Sequence, residues 1–266
     1  MSPRYIDAHC HIQFDQYDED REALVETMRE REVVGIVVGC DINSSKKAVE
    51  TAEKHAHLYA SVGLHPNHDA DEPYDAGVYR ELAKSSRVVA IGECGLDYFR
   101  PTDVTDEVKR AQKESFLKQI DLAAELEKPL IIHSRPSKGS QDANRDLIEI
   151  LKEAKQKYPN VRGDIHFFVG GVEEARELVE LGFTLSFTAV ITFARDYDEV
   201  IRSVPLASIL SETDAPYVAP EGRRGKRNDP LAVEDVAAKI AEIRHEDPEM
   251  VRNALVENAK RLFALS

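Results

Sequence analysis

The chain of 266 residues has no tryptophan and only three cysteines, Cys10, Cys40 and Cys94. An odd, widely spaced trio without a CxxC pair excludes a disulfide framework and a cysteine-built zinc site. It is the usage of a reducing compartment, so a cytoplasmic location is expected. No apolar run approaches the roughly 18 residues of a membrane span, and the opening Met1–Ile6 segment lacks an apolar signal core. A membrane or secreted protein is therefore not expected. Basic residues are the scarcer charge, 35 Lys and Arg against 49 Asp and Glu, for a net charge of −14. Such a surface repels polyphosphate and excludes coating of nucleic acid by bulk charge, though not a locally cationic site. The glycine-rich pieces match neither a P-loop nor a dinucleotide fingerprint. No Pro/Gly/Ser-rich linker divides the chain, so residues 1–266 are expected to form one domain.

What is present is an ordinary globular composition, 42% hydrophobic, arranged in a rhythm of short apolar runs and longer amphipathic stretches. The strand-like runs are Arg4–Ala8, Val33–Gly39, Leu58–Leu64, Val88–Glu93, Pro129–His133, Gly163–His166, Phe183–Phe187 and Ala207–Glu212. Helical periodicity covers Asp18–Glu30, Ser44–His55, Thr105–Glu127, Asp142–Lys157, Val172–Leu181 and Asp196–Val204, then Val233–Arg244 and Pro248–Phe263. Repeated βα units predict a parallel sheet. An open doubly wound sheet and a closed barrel both use that pattern. Eight repeats in about 250 residues match the α/β class of single (β/α)₈ TIM-type barrel.

The reactive side chains fall at one kind of position. His9 and His11 stand where the first strand ends, Glu93 at the end of the fourth, His133 at the end of the fifth and His166 at the end of the sixth. Asp214 follows the eighth. Barrel active sites are built at the carboxyl ends of the strands, so residues dispersed over the sequence converge at one mouth. Residues two apart on a strand share a face, which lets His9 and His11 grip one ion. Glu93 has two oxygens and can bridge two ions; His133 and His166 then serve the second and Asp214 the first. Four imidazoles and two carboxylates suit a pair of divalent cations that lower the pKa of bound water, with Asp214 as general base. A His-rich set favours Zn²⁺ or Mn²⁺ over Mg²⁺, so the ion is left open.

Other residues of the same types are weighed against this pattern. His55-Ala-His57 has the same spacing but precedes its strand, which puts it at the opposite mouth. Alternation turns Cys10 and Cys94 away from the site into the packing. His65, in Gly63-Leu-His-Pro66, ends the third strand and is a candidate phosphate contact. The basic cluster Arg223, Arg224 and Arg227 follows Asp214 closely, and Arg135 follows His133. Guanidiniums there point to an anionic substrate. His68 and His245 read as surface.

Taken in order, the chain resembles the TatD-like metal-dependent deoxyribonucleases of the amidohydrolase-type barrel superfamily. The matching motifs are Asp7-Ala-His-Cys-His11, Gly63-Leu-His-Pro66, Gly92-Glu-Cys-Gly-Leu-Asp97, His133-Ser-Arg135, His166-Phe-Phe, Glu212-Thr-Asp-Ala-Pro216 and Arg227-Asn-Asp-Pro230. The resemblance implies a (β/α)₈ fold, two-metal ligation by His9, His11, Glu93, His133, His166 and Asp214, and phosphodiester hydrolysis, commonly from the 3′ end of DNA. Gln13, Phe167 and Val169 depart from the residues common in that family and lie where the substrate pocket would be. The competing expectation is an amide or ester hydrolase, such as an aminoacyl-tRNA deacylase, using the same activated water. A non-catalytic scaffold has no need of six ligands. DNA is the expected partner, and a monomer without an obligate protein partner is the expected state.

Overall fold

The structure, a computed structural model, describes residues 3–67, 73–101 and 104–265. Eight strands form one parallel sheet in chain order: β1 Tyr5–Cys10, β2 Val33–Val38, β3 Leu58–Val62, β4 Val88–Asp97, β5 Leu130–Arg135, β6 Gly163–His166, β7 Thr184–Phe187 and β8 Ile209–Ser211. The sheet closes where β8 returns to β1. Asp214 N–H donates to His9 O at 2.9 Å and His11 N–H to Ala215 O at 2.8 Å. The result is the expected (β/α)₈ barrel. No helix among the described residues is long and apolar enough to cross a membrane.

The described helices are α1 Arg21–Glu30, α2 Ile42–Lys54, α3 Ala76–Leu82, α4 Asp106–Glu125, α5 Asp142–Lys157, α6 Val172–Glu180, α7 Asp198–Ser203, α8 Val233–Arg244 and α9 Pro248–Phe263. Every strand of the barrel buries both faces, which is why the strands read as continuous apolar runs. In β2, Val33 and Val37 belong to the large core beneath the helices, while Ile36 and Val38 join an inner cluster with Ile6, Ala8, Ile131 and Leu210. Val256, Ala259, Leu262 and Phe263 of α9 pack on that inner cluster. Starts of strands contribute Val34, Tyr59 and Val89 to the same contact, so α9 seals the end of the barrel opposite the strand carboxyl ends.

Two strands outrun the apolar runs that announced them. β4 continues four residues past Glu93 to Asp97, and β5 continues past His133 to Arg135. Neither Glu93 nor His133 ends its strand. The β4 ladder shifts register between Ile91 and Cys94, at the cis Gly92–Glu93 peptide. Gly92 and Gly95 both take positive φ there, and a Cβ on either would run into the backbone oxygens of Ile131 and His133 on β5. Only glycine allows that approach, and the irregularity re-aims Glu93 into the mouth.

Candidate metal centre

Three proposed ligands gather on one side of Glu93. His9 Nε2 and His11 Nε2 lie 3.1 Å apart, and Glu93 Oε2 is 3.6 Å from the former and 4.0 Å from the latter. Asp214 Oδ1 is 3.4 Å from His11 Nε2 and 3.9 Å from His9 Nε2. The other carboxylate oxygen faces a different set. Glu93 Oε1 is 3.0 Å from His133 Nδ1, 3.1 Å from His166 Nε2 and 3.5 Å from His65 Nε2. The six residues proposed from the sequence are thus brought together, with Glu93 between two groups. Glu93, His9, His11, His133 and His166 are buried; the Asp214 side chain is the most open of the six, 13% exposed.

Hydrogen bonds behind the imidazoles fix which nitrogen faces inward. His11 Nδ1–H donates to Val38 O at 2.8 Å, leaving Nε2 for the centre. His166 Nδ1–H donates to Glu212 Oε1 at 3.2 Å, and His133 Nε2–H donates to Asp97 Oδ2 at 3.0 Å. Carboxylate partners of this kind set ring orientation and tautomer in metal sites. Asp7 supports the centre from beneath. It accepts from His9 N–H, Thr213 N–H and Thr213 Oγ1–H, tying the end of β1 to the loop that carries Asp214.

The chemistry of the donor set fits divalent cations. His9 Nε2 and His11 Nε2 meet beside oxygens of Glu93 and Asp214, and the buried His9 Nδ1 has no hydrogen-bond partner among the described residues, a donor set that a cation would complete. Among the described residues the groupings His9–His11–Glu93, Glu93–His133–His166, His9–His166–Asp214 and His65–Asp97–His133 each hold three ligand atoms within 4.8 Å of one another. Burial pushes the Glu93 carboxyl up, but the surrounding His65 and His166 hold it well below the usual carboxylate range. Burial and the neighbouring His166 keep His9 well below the ordinary imidazole range, so it is neutral and able to ligate. His65, desolvated by burial, is held down at about 3.

Backbone strain gathers at the same rim. Asp214 takes φ 52° and Phe167 φ 45°. Asp tolerates the left-handed region, whereas a bulky aromatic there is an outlier held by its surroundings. Phe167 N–H donates to Glu212 Oε1 at 2.7 Å, the oxygen that also receives the His166 proton.

Above the centre opens a cavity of about 1280 Å³, lined by His11, His65, Glu93, His133, His166 and Asp214 together with Arg135, Arg100, Lys138 and several aromatic rings. Arg135 therefore lies where the sequence placed it. The loop cluster does not: Arg223, Arg224 and Arg227 are absent from the lining. Arg223 donates to Asp229 at 2.8 Å, Arg224 sits 4.3 Å over the Phe193 ring, and Arg227 pairs with Asp20 at 2.9 Å while covering Tyr17. Their clustering in sequence reflects loop-tying contacts within the fold. His57 donates to Val25 O and His55 approaches Glu22, both away from the cavity. Cys10 and Cys94 are buried in the core. Gln13 is buried and donates to Val38 O at 2.7 Å, while Phe167 and Val169 line the cavity. His68 lies outside the described residues.

Several residues of the centre are not apparent from sequence alone. Asp97 and Glu212 stand inside the family motifs, but only the fold brings them behind His133 and His166. Arg100 follows Asp97 by three residues and faces the cavity without a periodic signal. Cys40, whose Sγ–H donates to Glu93 Oε2 at 3.4 Å, leaves no trace in the spacing.

A parallel barrel with this carboxylate-and-imidazole cluster at its carboxyl mouth is the architecture of a metal-dependent hydrolase. The family model for TatD-related DNase matches residues 6–264, and the chain belongs to that family. It is 39% identical over 268 residues to the uncharacterized metal-dependent hydrolase YabD of Bacillus subtilis, covering 98% of this chain and 99% of that protein. It is 32% identical to the 3′-5′ ssDNA/RNA exonuclease TatD of Pantoea ananatis, covering 94% and 95% of the two chains. The crystal structure of YJJV, a TatD homolog from Escherichia coli K12, superposes with a TM-score of 0.86 at 30% identity, covering both chains completely. The chain is accordingly a TatD-type metal-dependent hydrolase.

Proposed function

We propose that this hydrolase cleaves phosphodiester bonds of DNA from the 3′ end, using two divalent cations. The observation that carries the metal arrangement is the division of Glu93: Oε2 faces His9 and His11, and Oε1 faces His133 and His166. His9, His11 and Asp214 would hold one ion, His133 and His166 the other, and Glu93 both. When bound, a pair of Mg²⁺, Mn²⁺ or Zn²⁺ ions lowers the pKa of water and neutralises charge on the phosphoryl oxygens. Asp214, the ligand most open to the cavity, accepts the proton of the attacking water at its carboxylate. Glu212 and Asp97 keep the His166 and His133 rings from turning. Arg135 and Arg100 supply the cationic lining that a phosphate chain needs in an otherwise acidic protein. His65 sits against Glu93 Oε1 and would contact the scissile phosphate from there. We keep Arg223, Arg224 and Arg227 out of the substrate path, because their guanidiniums are engaged elsewhere.

A time course on 3′- and 5′-labelled single-stranded DNA with Mg²⁺ and with Mn²⁺ tests the proposal, with Glu93→Ala purified identically as the control. A ladder shortening from the 3′ end, lost in Glu93→Ala, is the expected result. DNA left intact under both metals would overturn it and redirect the search to acyl and amide substrates.

A further inference from the structure

Among the described residues four large hydrophobic side chains are exposed: Phe99 at 47%, Val169 at 38%, Tyr217 at 48% and Met250 at 47%. Scattered singly, such residues need no explanation. Three of the four, however, line one cavity, the one above the metal centre. Leaving them in water costs free energy that burial elsewhere would have avoided, and their concentration at one mouth calls for an occupant with flat apolar faces.

These rings are fixed in register with the centre. Asp97 Oδ2 accepts from His133, while its Oδ1 accepts the backbone N–H groups of Phe99 and Arg100, each at 2.9 Å. One carboxylate thus aims an imidazole and sets the turn that presents Phe99. Tyr217 follows Asp214 by three residues, and its N–H donates to Asp214 O at 2.9 Å. Its ring stands edge-on to His11 with centroids 6.3 Å apart.

Charge identifies the occupant. The Arg135 guanidinium lies 4.1 Å from the centroid of the Phe99 ring, and Arg100 and Lys138 join it at the lining. An aromatic face beside guanidiniums is how proteins hold single-stranded nucleic acid: bases stack on rings, phosphates meet cations, and no base edge is read. In a chain of net charge −14 these three cations gather at one mouth, beside the carboxylates Asp41, Glu93 and Asp214.

Resting on the phosphodiester reading above, we propose that Phe99 and Tyr217 are stacking platforms for unpaired bases of a single strand whose 3′ end enters the centre. Phe99, backed by Arg135, takes one base face and Tyr217 another. A base stacked on both faces inside a duplex cannot lie on either ring until its strand frays, so the mouth favours single strands, with little sequence preference.

The test uses the full-length protein and an eight-residue single-stranded oligonucleotide with 2-aminopurine next to its 3′ end and phosphorothioates at the terminal linkages. Binding is read by anisotropy and stacking by 2-aminopurine fluorescence. Wild type should change the fluorescence on binding and hold the single strand at least tenfold more tightly than the matching duplex. Phe99→Ala and Tyr217→Ala should each weaken single-strand binding on the order of tenfold and reduce the fluorescence change, with Phe99→Trp restoring both. Unchanged affinity and fluorescence in the double variant, while wild type still degrades DNA, would overturn the platform and leave the nuclease assignment standing. A wild-type protein that neither binds nor cuts any oligonucleotide would overturn both.

Discussion

Glu93 shows how a single side chain is placed by its neighbours. Gly92 and Gly95 let β4 crowd β5, the register slips, and both carboxylate oxygens come free to face opposite groups of imidazoles. Its place at the mouth was legible in the sequence because it follows an apolar run that stops abruptly, and its proposed bridging rests on its two oxygens. The partners of the imidazoles were not legible. Asp97 lies 36 residues from His133 and Glu212 lies 46 from His166, and no local period links such pairs. Replacing Asp97 with Asn keeps the shape but removes the charge behind His133. Metal affinity measured by titration calorimetry should fall about 10–100-fold with the fold intact; an unchanged affinity would deny Asp97 its orienting role. Outside the centre, one histidine adds to the acid sensitivity of the fold. His57 is half-buried, and burial, opposed by the hydrogen bond to Val25 O, holds its pKa below the ordinary 6.5. The unfolded chain then takes up a proton that the folded one refuses, so this contribution is present above pH 6.5 and is lost as pH falls below it. His57→Gln should make the decline in denaturation midpoint between pH 7 and pH 5 shallower, with His9 and His65 supplying the rest of the slope. An equally steep decline in the variant would assign the slope to other groups.

At the scale of elements, the strand cores and the long helices followed directly from apolar periodicity, with α5, α8 and α9 at the expected boundaries. The misses have physical causes. α3, Ala76–Leu82, is seven residues long and completes too few turns to show a periodic face. β4 and β5 run on through Glu93 and His133 because the closed barrel supplies ladder partners to polar residues as readily as to apolar ones. α9 is fixed to the barrel by a polar clamp as well as by its apolar face. The buried Asn258 amide donates to Leu206 O at 2.8 Å and Ile209 O at 2.9 Å, at the entry to β8. Asn258→Ala leaves two carbonyls without that donor and should cost about 1–3 kcal/mol. Chemical denaturation would measure it, and a loss below about 0.5 kcal/mol would mean the carbonyls find water instead.

For the molecule as a whole, the barrel is what turns a dispersed set of residues into a centre. His9 and Asp214 stand more than two hundred positions apart in sequence, yet the closure of β8 on β1 joins their backbones at 2.9 Å. On the proposed reading, the acidic surface repels nucleic acid except at the cavity, where Arg100, Arg135 and Lys138 stand beside the exposed rings. The arginine cluster after β8 shows the limit of reading charge from sequence, because whether a guanidinium is free depends on carboxylates and rings that only folding brings near, Asp20 and Asp229 among them. In the proposed centre the six side chains hold two cations with Glu93 between them. Crystals of the protein soaked in Mn²⁺ and measured at the manganese absorption edge test it directly. Two anomalous peaks about 3.5–4 Å apart are expected, one against His9, His11 and Asp214 and the other against His133 and His166, both touching Glu93. A single peak, or peaks away from these residues, would contradict it.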